Sequence, residues 1–486
     1  MSHPADKSLV TLLRFALIVL LACANPVLSD LQSDVQEIVD KAEIHGGHVG
    51  VCIIDTETNE MMVSIDGSRI MIPASNQKLL TTGAALHVLG PSFKFKTKLV
   101  LDGNNLIVIG DGDPTIGDTE LNGIADWSTE NSILAQEFQP WIDAVINSNI
   151  KEIDTIFVDD RIFDRNFVHP SWPPDQINNW YCAQVSGLNY HLNVVHFFPS
   201  PRNGTTANLG DIAPPMDWIS FINKTTSKTG KTNKSSFWVA RTPNSNKMTA
   251  RGNVKSNHKQ PVKVAIHDPA IIFGKTLASH LSNQGIKVNK VRHIDESPKQ
   301  VTGHVIYENS TPLEVVLKRC NTDSHNLYSE ALLKRISAAT TGQSGTFDEG
   351  AKVVEAAIFQ RLGVNRSTLT VADGSGMSRD NKINPQTLAK WLASFDVEDP
   401  VGKRLVKSLA TPGYGTLDNR FKKTNLSGST VHAKSGYLRG VCALSGFILF
   451  ENKKPTVFCI IANGVKGTVR GVKKMQEEIV EAAINN

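Results

Sequence analysis

The sequence predicts an α/β fold: an antiparallel sheet flanked by helices and built from both ends of the chain, with smaller domains inserted between them. Three observations carry this. Near the N-terminus a short helix (about 31–43) leads into two alternating runs, HVGVCIID and MMVSID, separated by TETNE, which read as a β-hairpin. Near the C-terminus VCALSGFILF and PTVFCIIANG precede a last helix, VKKMQEEIVEAAI, so each end offers two strands and a helix, and chain ends commonly meet. Between them the composition shifts: 198–262 is rich in Asn, Lys, Ser and Thr and reads as a loop-rich insertion.

The remaining elements follow in order. Pro73 and Ser75 precede an apolar pattern of helical period that stops at Gly90. From about 96 to 160, strands KTKLVL, NLIVIG and TIFVDD alternate with a helix around 130–148. KVAIHDPAIIFGKTLASHLSNQGI gives a strand and then a helix, and long helices are expected at about 312–340, 347–362 and 385–394. The expected domains are 30–96 joined with 298–486, 97–197 joined with 263–297, and 198–262.

Composition narrows the function. With 40% hydrophobic and 20% charged residues, the 486-residue chain has ample material for a core. Its 51 Lys and Arg against 47 Asp and Glu leave +4, spread along the chain without a basic arm, so nucleic acid is not an expected partner. Lys7 and Arg14 precede an apolar run from Phe15 to Ala24, then small residues and Pro26. This is the layout of a secretory signal peptide over 1–29, cleaved after Ala24 or Ser29. The run is about half of what spans a bilayer. Cys23 could instead carry a lipid, although Leu21 fits that signal poorly. The mature chain is therefore expected to be periplasmic or secreted, with no obligate membrane span. Five cysteines remain, Cys52, Cys182, Cys320, Cys442 and Cys459. They read as buried thiols; Cys442 and Cys459, flanking a turn, are the pair that could face each other. No Cys or His spacing suits zinc, and neither metal nor cofactor is expected.

Three short motifs carry chemistry. Ser75-Asn76-Gln77-Lys78 places a hydroxyl and an amine one helical turn apart at a helix start. A lysine whose pKa is lowered by burial can take the serine proton, and the helix dipole favours developing negative charge. Ser148-Asn149-Ile150-Lys151 and Ser256-Asn257-His258-Lys259 share the spacing, but neither opens an apolar helix. Ser324-His325-Asn326 supplies a second hydroxyl to relay a proton and an amide to bind a substrate carbonyl; taken alone it is a helix cap. Lys434-Ser435-Gly436 opens an edge-strand pattern, offering backbone to an extended peptide, a cation and hydroxyl for its carboxylate, and a glycine for close approach. Lys228-Thr229-Gly230 matches more literally, yet it precedes Ser-x-Asn and has no strand around it. The GDGD run at 110–113 is no nucleotide loop, since Pro114 follows and no helix does.

In this order the motifs match the penicilloyl-serine transferase signature. The chain resembles the class C low-molecular-mass penicillin-binding proteins, the D-Ala-D-Ala carboxypeptidase/endopeptidases. The likeness runs from about residue 35 onward and includes GDGDPTIG, VDDRIF, PSWPPDQINNWYCAQVSGLNYHLN, VAIHDPA and VADGSGMSRDNKINP. It implies a transpeptidase/β-lactamase-like catalytic domain with two inserted domains. It also implies a serine DD-peptidase acting on peptidoglycan stem peptides through an acyl-enzyme, with β-lactams as covalent inhibitors.

Carried over residue by residue, the resemblance makes Ser75 the nucleophile, Lys78 its base, and Ser324 and Asn326 the proton relay and substrate contact. Lys434 and Ser435 would hold the substrate carboxylate. Gly436 would admit the substrate, and the backbone N–H groups of Ser75 and Tyr437 would form the oxyanion hole. Arg379, with Asp159 or Asp160, would line the pocket for a charged side chain of the stem peptide. Two departures stand out: Ser435 replaces the more usual Thr, and Tyr437 takes a position often held by a small polar residue. The alternatives are a β-lactamase or esterase on the same core, which the long stretch between Ser75 and Ser324 argues against, and a non-catalytic peptidoglycan-binding protein.

Overall fold

The structure is a computed structural model, described over residues 26–42, 44–121, 123–202, 205–216, 218–228, 235–294, 301–364 and 366–486. The charged and apolar parts of the expected leader, Cys23, and Thr229 and Gly230 of the second Lys-Thr-Gly lie outside the described residues. No helix among those described is long and apolar enough to cross a membrane.

The chain opens with α1 (Pro26–Lys41), β1 (His48–Asp55), β2 (Glu60–Ile65) and α2 (Gln77–Leu89). There follow β3 (Lys94–Asp102), β4 (Asn105–Ile109), α3 (Glu130–Asn147), β5 (Glu152–Asp159) and β6 (Val194–Phe197). Next come β7 (Phe221–Asn223), β8 (Trp238–Arg241), β9 (Met248–Arg251), β10 (Val262–Ala265), α4 (Pro269–Asn283), β11 (Lys287–His293) and β12 (His304–Pro312). The last part holds α5 (Leu313–Thr322), α6 (Asn326–Thr341), α7 (Phe347–Leu362), β13 (Leu369–Thr370), β14 (Lys382–Ile383), α8 (Pro385–Ala393), α9 (Pro400–Lys407), β15 (Ser429–Leu438), β16 (Val441–Phe450), β17 (Thr456–Asn463) and α10 (Arg470–Asn485).

Both termini build one sheet, in the order β15-β16-β17-β1-β2 with every pairing antiparallel. Period-two alternation assigns its faces. Cys52, Ile54, Phe447 and Ile461 look toward the core shared with α2, α6 and α8. Val51, Ile53, Leu444 and Ile460 look toward the core shared with α1 and α10. A sheet covered on both faces needs apolar residues at nearly every position, and all eight residues of VCALSGFI are buried.

A second five-stranded sheet, β11-β5-β4-β3-β12, forms the inserted part, with parallel pairs β4/β5 and β5/β11 and antiparallel pairs elsewhere. It reaches further along the chain than the expected boundary at 297, because β12 pairs with β3 along its length. β11 and β12 show mostly half-buried and exposed positions, so their sequences lack the apolar alternation that marks a strand. A three-stranded sheet, β7-β9-β8, falls inside 198–262, the segment read from composition as loop-rich. The helix expected over 312–340 is broken between α5 and α6, where Ser324 adopts φ 62 in the left-handed region. The five described cysteines are buried free thiols. Cys442 does not face Cys459: it stands opposite Ala462, and Cys459 stands opposite Cys52.

Candidate active site

The site is built where α2 begins. Asn463 at the end of β17 clamps Ile72, accepting from its N–H at 2.7 Å and donating to its carbonyl at 3.0 Å. The chain then turns sharply: Ala74 has φ 48, an uncommon conformation for a residue with a side chain, and such strain tends to collect at functional positions. Gly376 leaves room for this turn, since a Cβ there would stand 1.8 Å from the Ala74 carbonyl oxygen. Ser75 is left half-exposed in a 3₁₀ turn over Ala74–Asn76, with buried neighbours on both sides.

Lys78 follows on the same face, wholly buried. Its Nζ lies 2.7 Å from Asn326 Oδ1, 2.8 Å from the Ser375 carbonyl and 3.4 Å from Ser75 Oγ. All three partners are neutral. Burial pushes the Lys78 pKa down, countered in part by the fields of Cys320, Glu330 and Asp373. A half-exposed hydroxyl beside a desolvated amine is the pairing that serine activation needs. Asn326 opens α6 and is fixed from its other end, donating to the Tyr181 carbonyl at 2.8 Å. Ser324, two residues earlier, sits in the left-handed turn that presents this loop.

β15 is the free edge of the terminal sheet and runs past the start of α2. A Cβ on Gly436 would come 3.0 Å from the Ser75 amide nitrogen and 3.0 Å from the Pro73 carbonyl, so only glycine allows this approach without displacement. The Asn76 amide ties the two elements together, donating to the Lys434 carbonyl at 2.8 Å and accepting from the Ser445 hydroxyl at 2.6 Å. Lys434 is also wholly buried, with Nζ donating to the Ser435 carbonyl at 2.7 Å. Burial, and then the charge of Lys78, push its pKa well down. Ser435 is half-buried, and Tyr437 projects outward with 61% of its surface exposed.

Lys78 thus contacts both Ser75 and Asn326, with Ser324 in the adjoining turn and the Lys434–Tyr437 strand alongside. Arg379 is exposed and donates to the Arg439 carbonyl just past β15, at the end of the same strand. Asp159 and Asp160 go elsewhere. Asp159 accepts two bonds from the Arg161 guanidinium, each 2.8 Å, and a third from the Arg161 amide at 3.2 Å. Asp160 is buried and held by Arg165 at 2.8 Å, with His293 at 3.4 Å. Both belong to ion pairs at the end of β5, and among the described residues no bond ties either to the Ser75 cluster.

Sequence reasoning missed the cradle beneath Lys78. Glu330 accepts from the amides of Gly374 and Ser375 at 2.9 and 2.8 Å, and so aims the Ser375 carbonyl at Lys78. Burial first, and then Asp373, push its pKa up. Asp373 in turn accepts from the Gly376 and Ser378 amides, Asn381 and the Trp172 indole, at 2.6–2.8 Å. One signal was available: Glu330 stands four residues after Asn326, an acid on the same helix face within an apolar pattern.

A serine and a buried lysine at the mouth of an α/β fold, flanked by Ser-x-Asn and a Lys-Ser-Gly edge strand, define the class of serine peptidases that work through a lysine. The chain belongs to the D-Ala-D-Ala carboxypeptidase 3 (S13) family, whose profile matches residues 31–485. It is therefore a serine-type D-Ala-D-Ala carboxypeptidase. It is similar to the D-alanyl-D-alanine carboxypeptidase of Actinomadura sp. (strain R39), 27% identical over 470 residues that cover 90% of this chain and 82% of that protein. It is also similar to penicillin-sensitive carboxypeptidase A of Dictyostelium discoideum, 25% identical over 82% of this chain and 79% of that protein. Its fold matches the crystal structure of penicillin binding protein 4 (dacB) from Haemophilus influenzae, with a TM-score of 0.75, 21% identity, and 93% of this chain and 99% of that one covered.

Proposed function

We propose that Ser75 is the acylated residue. Its Oγ attacks the carbonyl carbon of the penultimate D-Ala of a peptidoglycan stem peptide while neutral Lys78 takes its proton. The tetrahedral oxyanion is held by the backbone N–H groups of Ser75 and Tyr437. Collapse breaks the C–N bond, and the terminal D-Ala amine leaves with a proton relayed from Lys78 through the Ser324 hydroxyl. Water then hydrolyses the ester and restores the Ser75 hydroxyl. Lys434 and Ser435 bind the terminal carboxylate, Asn326 positions the peptide, Gly436 lets it pair along β15, and Arg379 faces a charged side chain of the stem.

The observation that carries this reading is Lys78 itself: an amine wholly removed from water, bonded to neutral acceptors alone and within reach of a half-exposed hydroxyl. A cross-linked D-amino acid in place of the terminal D-Ala makes the same acylation an endopeptidase step. β-Lactams present the same electrophilic carbonyl, and the Haemophilus influenzae protein was also solved in complex with a β-lactam. Peptidoglycan as substrate and the leader-like first 29 residues support a periplasmic or secreted location for the mature chain.

Incubation with a labelled penicillin tests the assignment. Native protein is expected to label at Ser75 and Ser75→Ala not at all; equal labelling of both would defeat it. Mass analysis of products from monomeric and cross-linked muropeptides separates carboxypeptidase from endopeptidase action.

A further inference from the structure

The inserted part holds a second cluster that the peptidase chemistry does not use. Glu130 opens α3, His191 lies in the turn before β6, and His196 lies on β6. All three are about 1% exposed. His196 Nδ1 stands 2.9 and 3.0 Å from the two Glu130 carboxylate oxygens, and His191 Nε2 stands 3.2 Å from Oε1. One ligand atom from each residue falls within 4.8 Å of the others.

The backbone is bent to make this happen. His191, Leu192 and Asn193 have φ of 50, 55 and 56, three left-handed residues in succession with no glycine among them. Each costs of order 1 kcal/mol or more, and such strain persists only where its surroundings impose it. Here Asn193 imposes it, accepting from the Tyr190 amide and donating to the Gln184 carbonyl and to Asn189.

Proton accounting then points to a cation. His191 Nδ1 lies 2.9 Å from the Val194 carbonyl, which can only accept, so Nδ1 carries the hydrogen. A neutral ring therefore turns a bare Nε2 lone pair toward a carboxylate oxygen 3.2 Å away. Either an extra proton or a metal ion must lie between them. A ring that gives one N–H to a backbone carbonyl and its other nitrogen to the cluster has the arrangement that orients a metal-ligating histidine.

We infer that Glu130, His191 and His196 form a binding site for a divalent transition metal, with zinc as the occupant. Two imidazoles and a carboxylate suit zinc, and not calcium or magnesium, which take mainly oxygen ligands. The Thr119 hydroxyl, donating to Glu130 Oε1 at 2.9 Å, is at hand for the fourth position, as is water. On binding, the metal takes the place between His191 Nε2 and Glu130 that an extra proton would otherwise fill, and His196 ligates through Nδ1 once its own hydrogen sits on Nε2. No spacing in the sequence announces such a set, because Glu130 lies 61 residues before His191.

The site would brace the 111–120 loop. Next to Thr119, Glu120 accepts from Arg319 at 2.8 Å, and Arg319 reaches Asp323 at 3.1 Å, one residue before Ser324. The metal would thus be a structural clamp joined to the Ser-x-Asn turn through three side chains, Glu120, Arg319 and Asp323.

The test uses the full chain, stripped with chelator and titrated with Zn²⁺ alone, then with Co²⁺ as a spectroscopic probe. The expected result is one ion per chain, a rise in thermal midpoint on adding metal, and a tetrahedral nitrogen/oxygen Co²⁺ spectrum. Stoichiometric binding should be lost in Glu130→Gln and in His196→Gln. No retained metal in the wild-type chain, equal binding by a folded variant, or a thiolate charge-transfer band pointing to the cysteines would each overturn the proposal. The wild-type stoichiometry and spectrum decide the matter even if both variants fail to fold.

Discussion

Two lysines in this molecule are equally buried and differently kept. Lys334 on α6 reaches into the inserted part, where it bonds the Asp164 carboxylate at 2.6 Å and the Asn166 carbonyl at 2.9 Å. Lys78, at the edge of the terminal sheet, has only an amide, a carbonyl and a hydroxyl. Burial pushes both pKa values down, but only Lys334 is pulled back by a bonded counter-charge. In the inserted part Asp159 is likewise paired with Arg161 and Asp160 with Arg165, whereas the Ser75 region leaves Lys78 and Lys434 without a bonded carboxylate. A buried cation left in this way is costly to keep and easy to deprotonate, which suits a base more than a scaffold.

The largest effect should come from removing the unpaired charge. Lys78→Met is expected to slow acylation by on the order of 10³-fold or more, with the Ser75→Ala, Lys78→Met double variant no worse than Ser75→Ala, because residues that act as a unit are not additive. Its thermal midpoint should hold or rise. Peptidase activity within tenfold of wild type would place the base elsewhere.

The matched lysine should behave in the opposite sense. Lys334→Met strands Asp164 and is expected to cost about 2 kcal/mol in denaturant unfolding, while penicillin labelling per folded molecule stays unchanged. Loss of labelling in folded protein would erase the distinction between the two sites.

Gly436→Ala sharpens the comparison within the catalytic region. Its methyl would crowd the Ser75 amide at 3.0 Å. A loss of roughly tenfold in kcat/KM is expected from a displacement of that kind, with little change in unfolding. An unaltered kcat/KM would mean that β15 can retreat from Ser75 without consequence.

The smallest effect lies among the paired charges and depends on pH. Burial alone would push His293 down, but hydrogen bonds to Asp160 and Asp268 carry it up to about 9, from 6.5. A raised folded pKa means that the stabilisation is complete below about 6.5 and fades as pH rises through about 9. His293→Gln should therefore lose up to about 1 kcal/mol at pH 6, the pair being half-exposed, and nothing at pH 10. A stability gap independent of pH would show that the contact is steric.

Much of the fold could be read beforehand because its determinants are local. The hairpin at each end, the helix halted at Gly90 and the helix over 347–362 follow from alternation, helical period and a left-handed glycine. The three motifs were legible for the same reason, each being a few adjacent residues of fixed chemistry. What escaped was contributed by the backbone or from far away. Nothing in DGSG announces that the Ser375 carbonyl would meet Lys78, and β11 and β12 carry too few buried residues to alternate. The resemblance offered Asp159 or Asp160 for the pocket, whereas Arg161 and Arg165, close by in the sequence, hold both in ion pairs.

One feature of the terminal sheet has a consequence for how the chain comes to life. Thr56, next to β1, pairs its backbone with Pro455, 399 residues away, and β1 is flanked by β17 along its whole length. Contacts so distant along the chain are slow to form, because a long loop must close before they yield anything. Asn463, which clamps the turn before Ser75, lies 391 residues beyond its partner Ile72. The turn that carries Ser75 is therefore held by one of the slow, long-range contacts of the fold. Ser75 and Lys78 adjoin along the chain, but the clamp on the turn before them comes only with that distant pairing.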